Sequence, residues 1–206
     1  MQLHIHIELD EPLVLPINYN HILQAIIYRT LSVMPDYSEF LHERGYSTGQ
    51  RQYKMFQFSQ LKGEYKIRDK KIMFYSSVEF EIRSPEPLLI HLLNGGFQYD
   101  GITFGEKRYR NIRTRVADFT VEEQQLYINM KTPIVVYSTD PLTKYTDYYS
   151  PKDQEFYEGI RQNADNKYAA YYGVEPEEYI EIQKFGDTAA KKMVTKYQGH
   201  YIIAWY

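Results

Sequence analysis

Tyr28, His42 and Lys54 carry the chemistry that this sequence offers: a phenol, an imidazole and an ammonium, all between residues 14 and 59. A protonated imidazole donates a proton, and an ammonium attracts an anion. Each also has a plain structural use. Tyr28 could hydrogen-bond a neighbouring element, His42 could cap a helix end, and Lys54 could be an edge charge on a strand. Their value as a set depends on the elements that carry them.

Those elements are legible in the residue pattern. Asn18 or Asn20 can cap a helix, in which Leu23, Ile26, Ile27, Thr30, Leu31 and Met34 recur at helical spacing as one apolar stripe. Tyr28 lies off that stripe, on the side shared with His21, Gln24 and Ser32, so its hydroxyl is predicted to be free. After Pro35, Asp36-Tyr37-Ser38-Glu39 reads as a capping box that opens a short second helix, which Gly45 ends. Tyr37, Phe40 and Leu41 form its buried side. His42 then points elsewhere from the last turn, where the carbonyl end of the helix favours a charged imidazole. Lys54 opens a strand running to Leu61, on the face of Phe56 and Phe58, with its stem packed and its ammonium reaching water or an anion.

The flanking sequence supplies the frame. Residues 2–9 alternate, Leu3, Ile5, Ile7 and Leu9 against Gln2, His4, His6 and Glu8, as a strand with one covered face. His4, His6 and Glu8 imitate part of a metal site, but a polar open sheet face is the simpler reading, and no metal is expected. Lys71 to Arg83 reads as another strand, reached through a turn at Lys62-Gly63-Glu64 and a short strand at residues 65–68. A helix follows Pro87, closed by Gly95-Gly96, and Gln98 to Phe104 begins the next strand. Strand, helix, two strands, helix, strand is the split βαβ order of a ferredoxin-like domain, whose RRM relatives bind single-stranded RNA. Lys107, Arg108, Arg110, Arg113 and Arg115, with Tyr109 among them, are the best phosphate-binding candidates, against a solvated strand face as the alternative. A boundary near residue 125 divides the chain into domains 1–125 and 126–206. In the second, Thr132 to Ser138 reads as a strand, and Ser150 caps a long helix with Pro151 at its first position. Phe156, Ile160, Tyr168, Tyr171 and Tyr172 form that helix's buried side, Asn163 to Asn166 its weak stretch, and Gly173 its end. Residues 179–182 and Met193 to Tyr206 read as two further strands, and Lys184, Lys191, Lys192 and Lys196 form a second basic group.

The 206 residues contain no cysteine, which excludes disulfides, thiolate metal sites and cysteine nucleophiles. The net charge of −3 argues against indiscriminate nucleic-acid binding, so a selective RNA site must be a local patch. The 22 tyrosines can stack on bases or fill a core, and alone decide nothing. No stretch is long and apolar enough to cross a bilayer, and the N-terminus lacks the pattern of a signal peptide, so a cytoplasmic protein without membrane contact is expected.

The run Leu15-Pro16-Ile17-Asn18-Tyr19-Asn20 entering the helix of Ile27-Tyr28, then Leu41-His42-Glu43 and Lys54-Met55-Phe56-Gln57-Phe58-Ser59, resembles the CRISPR-associated endoribonucleases that cut precursor CRISPR RNA. Thr132-Pro133-Ile134-Val135-Val136 and Tyr201-Ile202-Ile203-Ala204-Trp205-Tyr206 extend the likeness. The resemblance implies an α+β fold of two tandem ferredoxin-like, RRM-like domains. It implies a metal-independent reaction, with no cofactor, in which the 2′-hydroxyl attacks and leaves 2′,3′-cyclic phosphate and 5′-hydroxyl ends. Tyr28 would sit near the 2′-hydroxyl as base or orienter, His42 would be the acid or its partner, and Lys54 would stabilise developing charge. A neutral tyrosine is a poor base, so either Lys54 lowers its pKa or His42 takes the base role. The implied partner is CRISPR repeat RNA, with interference-complex proteins and a second copy of the chain as further candidates. A non-catalytic repeat-RNA-binding protein of the same superfamily is the alternative. Such enzymes continue into a further helix and strand with a glycine-rich loop, whereas this sequence ends at Tyr206, so the second domain is expected to be incomplete.

Overall fold

From Lys71 to Arg83 apolar and polar residues alternate, and the long strand they form is the spine of the first half of the protein, with Ile72, Phe74, Val78, Phe80 and Ile82 buried on one face. The computed structural model describes residues 1–130, 132–186, 189–197 and 199–206. The chain divides into two compact units, Met1–Val121 and Glu122–Tyr206.

The first unit runs β1 (Gln2–Glu8), β2 (Leu13–Pro16), α1 (Asn20–Leu31), α2 (Pro35–Glu39), a π-helical turn (Phe40–Arg44), β3 (Tyr46–Thr48), β4 (Arg51–Tyr53), β5 (Gln57–Phe58), β6 (Lys62–Arg68), β7 (Lys71–Arg83), α3 (Pro87–Asp100), β8 (Ile102–Phe104), β9 (Lys107–Tyr109) and β10 (Ile112–Ala117). Phe74 pairs with both Leu13 and Tyr65, and Glu79 with both His6 and Lys62. β1 and β2 therefore share one edge of β7, β5 and β6 share the other, and β10 lies outside β1, all antiparallel. The order β10-β1-β7-β6, with α1 and α3 as crossovers, is the ferredoxin-like pattern. Leu23, Ile27 and Leu31 of α1 and Leu89, Ile90, Leu93 and Phe97 of α3 pack with Leu3, Ile5 and Ile7 of β1 in one core, leaving the opposite sheet face polar.

Several boundaries differ from the sequence expectation for identifiable reasons. The β6–β7 turn falls at Asp69-Lys70, both at positive φ (51° and 59°), a two-residue loop whose twist suits a hairpin, and Lys62-Gly63-Glu64 belong to β6. Gly95-Gly96 do not end α3. A side chain at Gly96 would strike the Thr30 methyl, so the glycine lets α3 approach α1 closely while the helix continues to Asp100, and the next strand begins only at Ile102. Lys54 to Leu61 is not one strand. Lys54 follows the β3–β4 hairpin, Met55 turns the chain at φ 52°, and the chain joins β7 only from Gln57, through Phe58 and the Ser59 amide, which donates to the Glu81 carbonyl at 2.9 Å. α1 starts after Tyr19 without a side-chain cap, and Met34, past its end, is exposed. α2 starts with Pro35 in its first turn after Met34, so Asp36 lies inside it and no capping box forms.

The second unit is also α+β: β11 (Tyr137–Thr139), β12 (Thr146–Tyr148), α4 (Gln154–Tyr172), β13 (Lys192–Tyr197) and β14 (His200–Trp205). Within Thr132 to Ser138 regular pairing begins only at Tyr137, although Ile134 and Trp205 exchange backbone hydrogen bonds of 2.8 and 2.9 Å. α4 begins after Asp153, not Ser150, because the Asp153 carboxylate accepts from the Ser150 amide and hydroxyl at 2.7 and 2.9 Å and holds the loop before the helix. Its buried residues are Phe156, Asp165 and Ala169, whereas Tyr168 and Tyr172 are exposed. Asp165, inside the expected weak stretch, is buried and accepts from Arg161 at 3.0 Å one turn away. Gly173 ends the helix in the left-handed conformation. Residues 179–182 form no strand, and Met193 to Tyr206 is a hairpin, position 198 lying outside the described residues.

Candidate active site and basic surfaces

Local backbone geometry brings His42 to α1. The Gly45 amide donates to the Phe40 carbonyl at 2.6 Å, five residues back, and the extra residue of this π-helical turn swings His42 out of the register of a plain α-helix. Gly45 itself sits at φ 64° and ψ −164°, a region that only glycine adopts readily. Its Cα also abuts β4, since a Cβ there would lie 2.5 Å from the Tyr53 carbonyl oxygen. That close approach sets the next residue, Lys54, beside the turn, and its Nζ donates to the His42 carbonyl at 2.7 Å.

The rings of Tyr28 and His42 meet edge to face with centroids 5.1 Å apart, and Phe56 stands against the Tyr28 ring at 5.9 Å. The Glu43 carboxylate accepts from Nδ1 of His42 at 2.6 Å, which fixes the imidazole and leaves Nε2 for another partner. Tyr28, His42, Ser32, Ser38, Glu39 and Glu43 are among the residues lining an open cavity of about 470 Å³. The structure thus joins all three sequence candidates, but not alike. Tyr28 and His42 face one cavity, whereas Lys54 reaches the main chain of His42. The Tyr28 hydroxyl, expected to be free, is hydrogen-bonded by Gln24, and burial pushes its pKa above the usual tyrosine value while that bond pulls the other way. The phenol therefore stays protonated at neutral pH, and the alternative in which Lys54 activates it as a base does not describe this site.

Sequence reasoning missed two residues. Glu43 was visible beside His42, but its contact depends on the π-helical turn. Ser84 is buried and holds the strained segment after Lys54: its hydroxyl donates to the Met55 carbonyl at 2.7 Å and accepts from the Glu86 amide at 3.0 Å. No spacing in the sequence marks a pair 29 residues apart.

The basic candidates are dispersed. Lys107 is tied to Glu11 at 2.6 Å and lies over the Tyr109 ring, and Arg113 is tied to Glu8 at 2.6 Å. Arg108 and Arg110 are exposed. Arg113 and Arg115 stand opposite His6 and His4 on the open sheet face, where they line a second cavity of about 290 Å³ with Lys62, Glu79 and Glu81. There His6 contacts Glu79 at 2.8 Å and Glu8 at 3.0 Å. Among the described residues no group of three or more histidines and carboxylates could hold a metal ion. Lys184 and Lys191 are exposed in irregular chain of the second unit, and Lys192 lies over the Trp205 ring. No helix among the described residues is long and apolar enough to cross a membrane.

Residues 113–206 match the family model "CRISPR associated protein Cas6, C-terminal". No curated protein sequence matches the chain. Among solved structures, a CRISPR-associated Cas6 protein aligns with TM-score 0.63 at 21% identity, covering 100% of this chain and 84% of its own. A Cas6-related protein from Pyrococcus furiosus aligns with TM-score 0.67 at 18% identity, covering 100% and 84%. A RAMP protein that binds different RNA substrates aligns with TM-score 0.66 at 19% identity, covering 100% and 85%. At these identities the structural likeness establishes the fold, which is the tandem ferredoxin-type α+β fold. Residues 113–206 are thus similar in sequence to the C-terminal part of Cas6 proteins, and the full length shares the fold of Cas6-related and RAMP structures.

Proposed function

We propose that the protein binds CRISPR repeat RNA and cleaves it at the cavity between α1 and the π-helical turn, without a metal ion. The observation that carries this reading is the contact of the Tyr28 and His42 rings in one open cavity, with His42 held by Glu43 and Lys54. RNA brings its own nucleophile. His42 Nε2 takes the proton of the 2′-hydroxyl, the 2′-oxygen bonds to phosphorus, and the bond to the 5′-oxygen breaks as the imidazolium so formed returns that proton to the leaving oxygen. The products are a 2′,3′-cyclic phosphate and a 5′-hydroxyl. Tyr28, neutral because burial raises its pKa, orients the 2′-hydroxyl by hydrogen bonding rather than as a base. Lys54 acts as a positioning residue, holding the carbonyl of His42 and adding positive charge behind the imidazole.

A repeat-containing RNA incubated with the protein in chelator tests this reading. His42→Ala should slow single-turnover cleavage by about a hundred-fold or more with little change in affinity, and Tyr28→Phe and Lys54→Ala should show smaller losses in the same direction. Cleavage that needs magnesium, or an unchanged rate in His42→Ala, overturns the mechanism. Glu39 and Glu43 in the same cavity oppose a phosphate and favour the second reading, a repeat-RNA-binding protein that does not cut. A gel shift without cleavage is its signature.

A further inference from the structure

The β6–β7 hairpin carries a charge concentration that, apart from Lys62 at its root, which is paired with Glu81 at 3.7 Å, lies outside the basic groups named above. Between residues 62 and 71 stand Lys62, Lys66, Arg68, Lys70 and Lys71 against only Glu64 and Asp69, in a chain whose total is −3. In sequence the group is easily passed over, because a glycine and two acids interrupt it. The fold gathers it. β6 is an edge strand whose seven residues are all exposed, paired to β7 on one side only. Residues two apart on a strand share a face, and the register sets Lys66 opposite Met73 and Arg68 opposite Lys71, so Lys66, Arg68 and Lys71 project together from the open face of the sheet. Lys70 occupies the tight turn beside them. Little neutralises these charges. Arg68 contacts Asp69 at 3.3 Å where both are almost fully in water, and Lys66, Lys70 and Lys71 form no ion pair among the described residues. Lys66 lies 5.7 Å from the Tyr75 ring, and on the opposite face of β6 the Tyr65 ring is 54% exposed.

The hairpin is fixed to the helix that carries the cavity. The Ile17 amide donates to the Lys70 carbonyl at 3.2 Å, and the Leu61 amide at the root of β6 donates to the buried Tyr19 hydroxyl at 2.9 Å, immediately before α1. Tyr28 is eight residues along from Asn20, about 12 Å at the helical rise. Cationic hairpin and cavity thus stand at opposite ends of one helix, a distance that a few nucleotides span, and His21 and Gln24 lie on the helix face that leads to Tyr28.

We propose that the β6–β7 hairpin is a phosphate-backbone contact for the single-stranded RNA that flanks the scissile position, with Lys66, Arg68 and Lys70 as its charges and Tyr65 as a stacking surface. The proposal rests on the RNA-binding part of the reading above, not on cleavage. Cations spaced along an exposed edge, of which only Arg68 has an acid partner, suit a polyanion, and an exposed tyrosine suits an unpaired base.

The test compares wild type with Lys66→Ala/Arg68→Ala/Lys70→Ala by measuring affinity for a repeat-containing RNA oligonucleotide across a salt series, and single-turnover cleavage at saturating RNA. Three lost contacts to a single strand should flatten the log K against log[salt] slope by about 2, which makes binding roughly a hundred-fold weaker at about 0.1 M salt and converges near 1 M. The saturated cleavage rate should stay at the wild-type value. Lys66→Arg/Lys70→Arg, which keeps the charge, should keep the slope and so excludes a folding defect. Tyr65→Ala should weaken binding without changing the slope. An unchanged slope and affinity in the triple variant overturns the proposal even where His42→Ala abolishes cleavage. A flattened slope in a protein that does not cut supports it while the cleavage reading fails.

Discussion

Gly45→Ala should uncouple His42 from Lys54. At φ 64° and ψ −164° the backbone is in a region costing a residue with a side chain about 1–3 kcal/mol. The added methyl would also lie 2.5 Å from the Tyr53 carbonyl oxygen and 3.3 Å from its carbon, both main-chain atoms that cannot rotate away, and such overpacking costs about 1–3 kcal/mol more. A loss of about 2–6 kcal/mol is large against a typical domain stability of about 5–15 kcal/mol, and the cheapest relief is outward movement of the three-pair β3–β4 hairpin. That movement carries Lys54 away and breaks its 2.7 Å bond to the His42 carbonyl. Urea unfolding should show the lower midpoint, and single-turnover cleavage by the folded variant should fall at least as far as in Lys54→Ala. A Gly45→Ala protein with wild-type midpoint and rate would refute the argument that this close approach builds the site.

Ser84→Ala leaves the Met55 carbonyl and the Glu86 amide without their buried partner, and should cost about 1–3 kcal/mol in urea unfolding. His6 should give stability a pH dependence. The Glu79 carboxylate raises its pKa, burial opposes this, and Glu8 adds to the rise, so the stabilisation is fully present below the unfolded value of about 6.5 and is lost as pH climbs through the raised folded value. Urea midpoints of wild type should fall through that window, and those of His6→Gln should fall less. Arg115→Ala should weaken RNA binding more than Arg113→Ala in a salt-series titration, because the Arg113 guanidinium is already engaged by Glu8.

The ferredoxin-like order of the first unit was legible because it rests on periodicity: β1 and β7 alternate, α1 carries one apolar stripe, and short-range physics suffices for each. Tyr28, His42 and Lys54 were named from residue types and resemblance, and the fold sets them next to one another. What the sequence could not show is decided by contacts between distant segments. Gly96 looks like a helix stop until Thr30 is seen against it, and the end of the alternating run at Lys54 is set by Met55 under the hold of Ser84. The state of Tyr28 is likewise tertiary, since burial between His42 and Phe56 raises its pKa where a neighbouring ammonium would have lowered it. The same holds for charge. The run from Lys107 to Arg115 is dense in sequence but is partly neutralised by Glu8 and Glu11 from another strand and its following loop, while the interrupted lysines of β6 and its turn come together on one exposed edge. Composition fixes how many charges a chain has; strand register and ion pairing fix which of them remain available to a ligand.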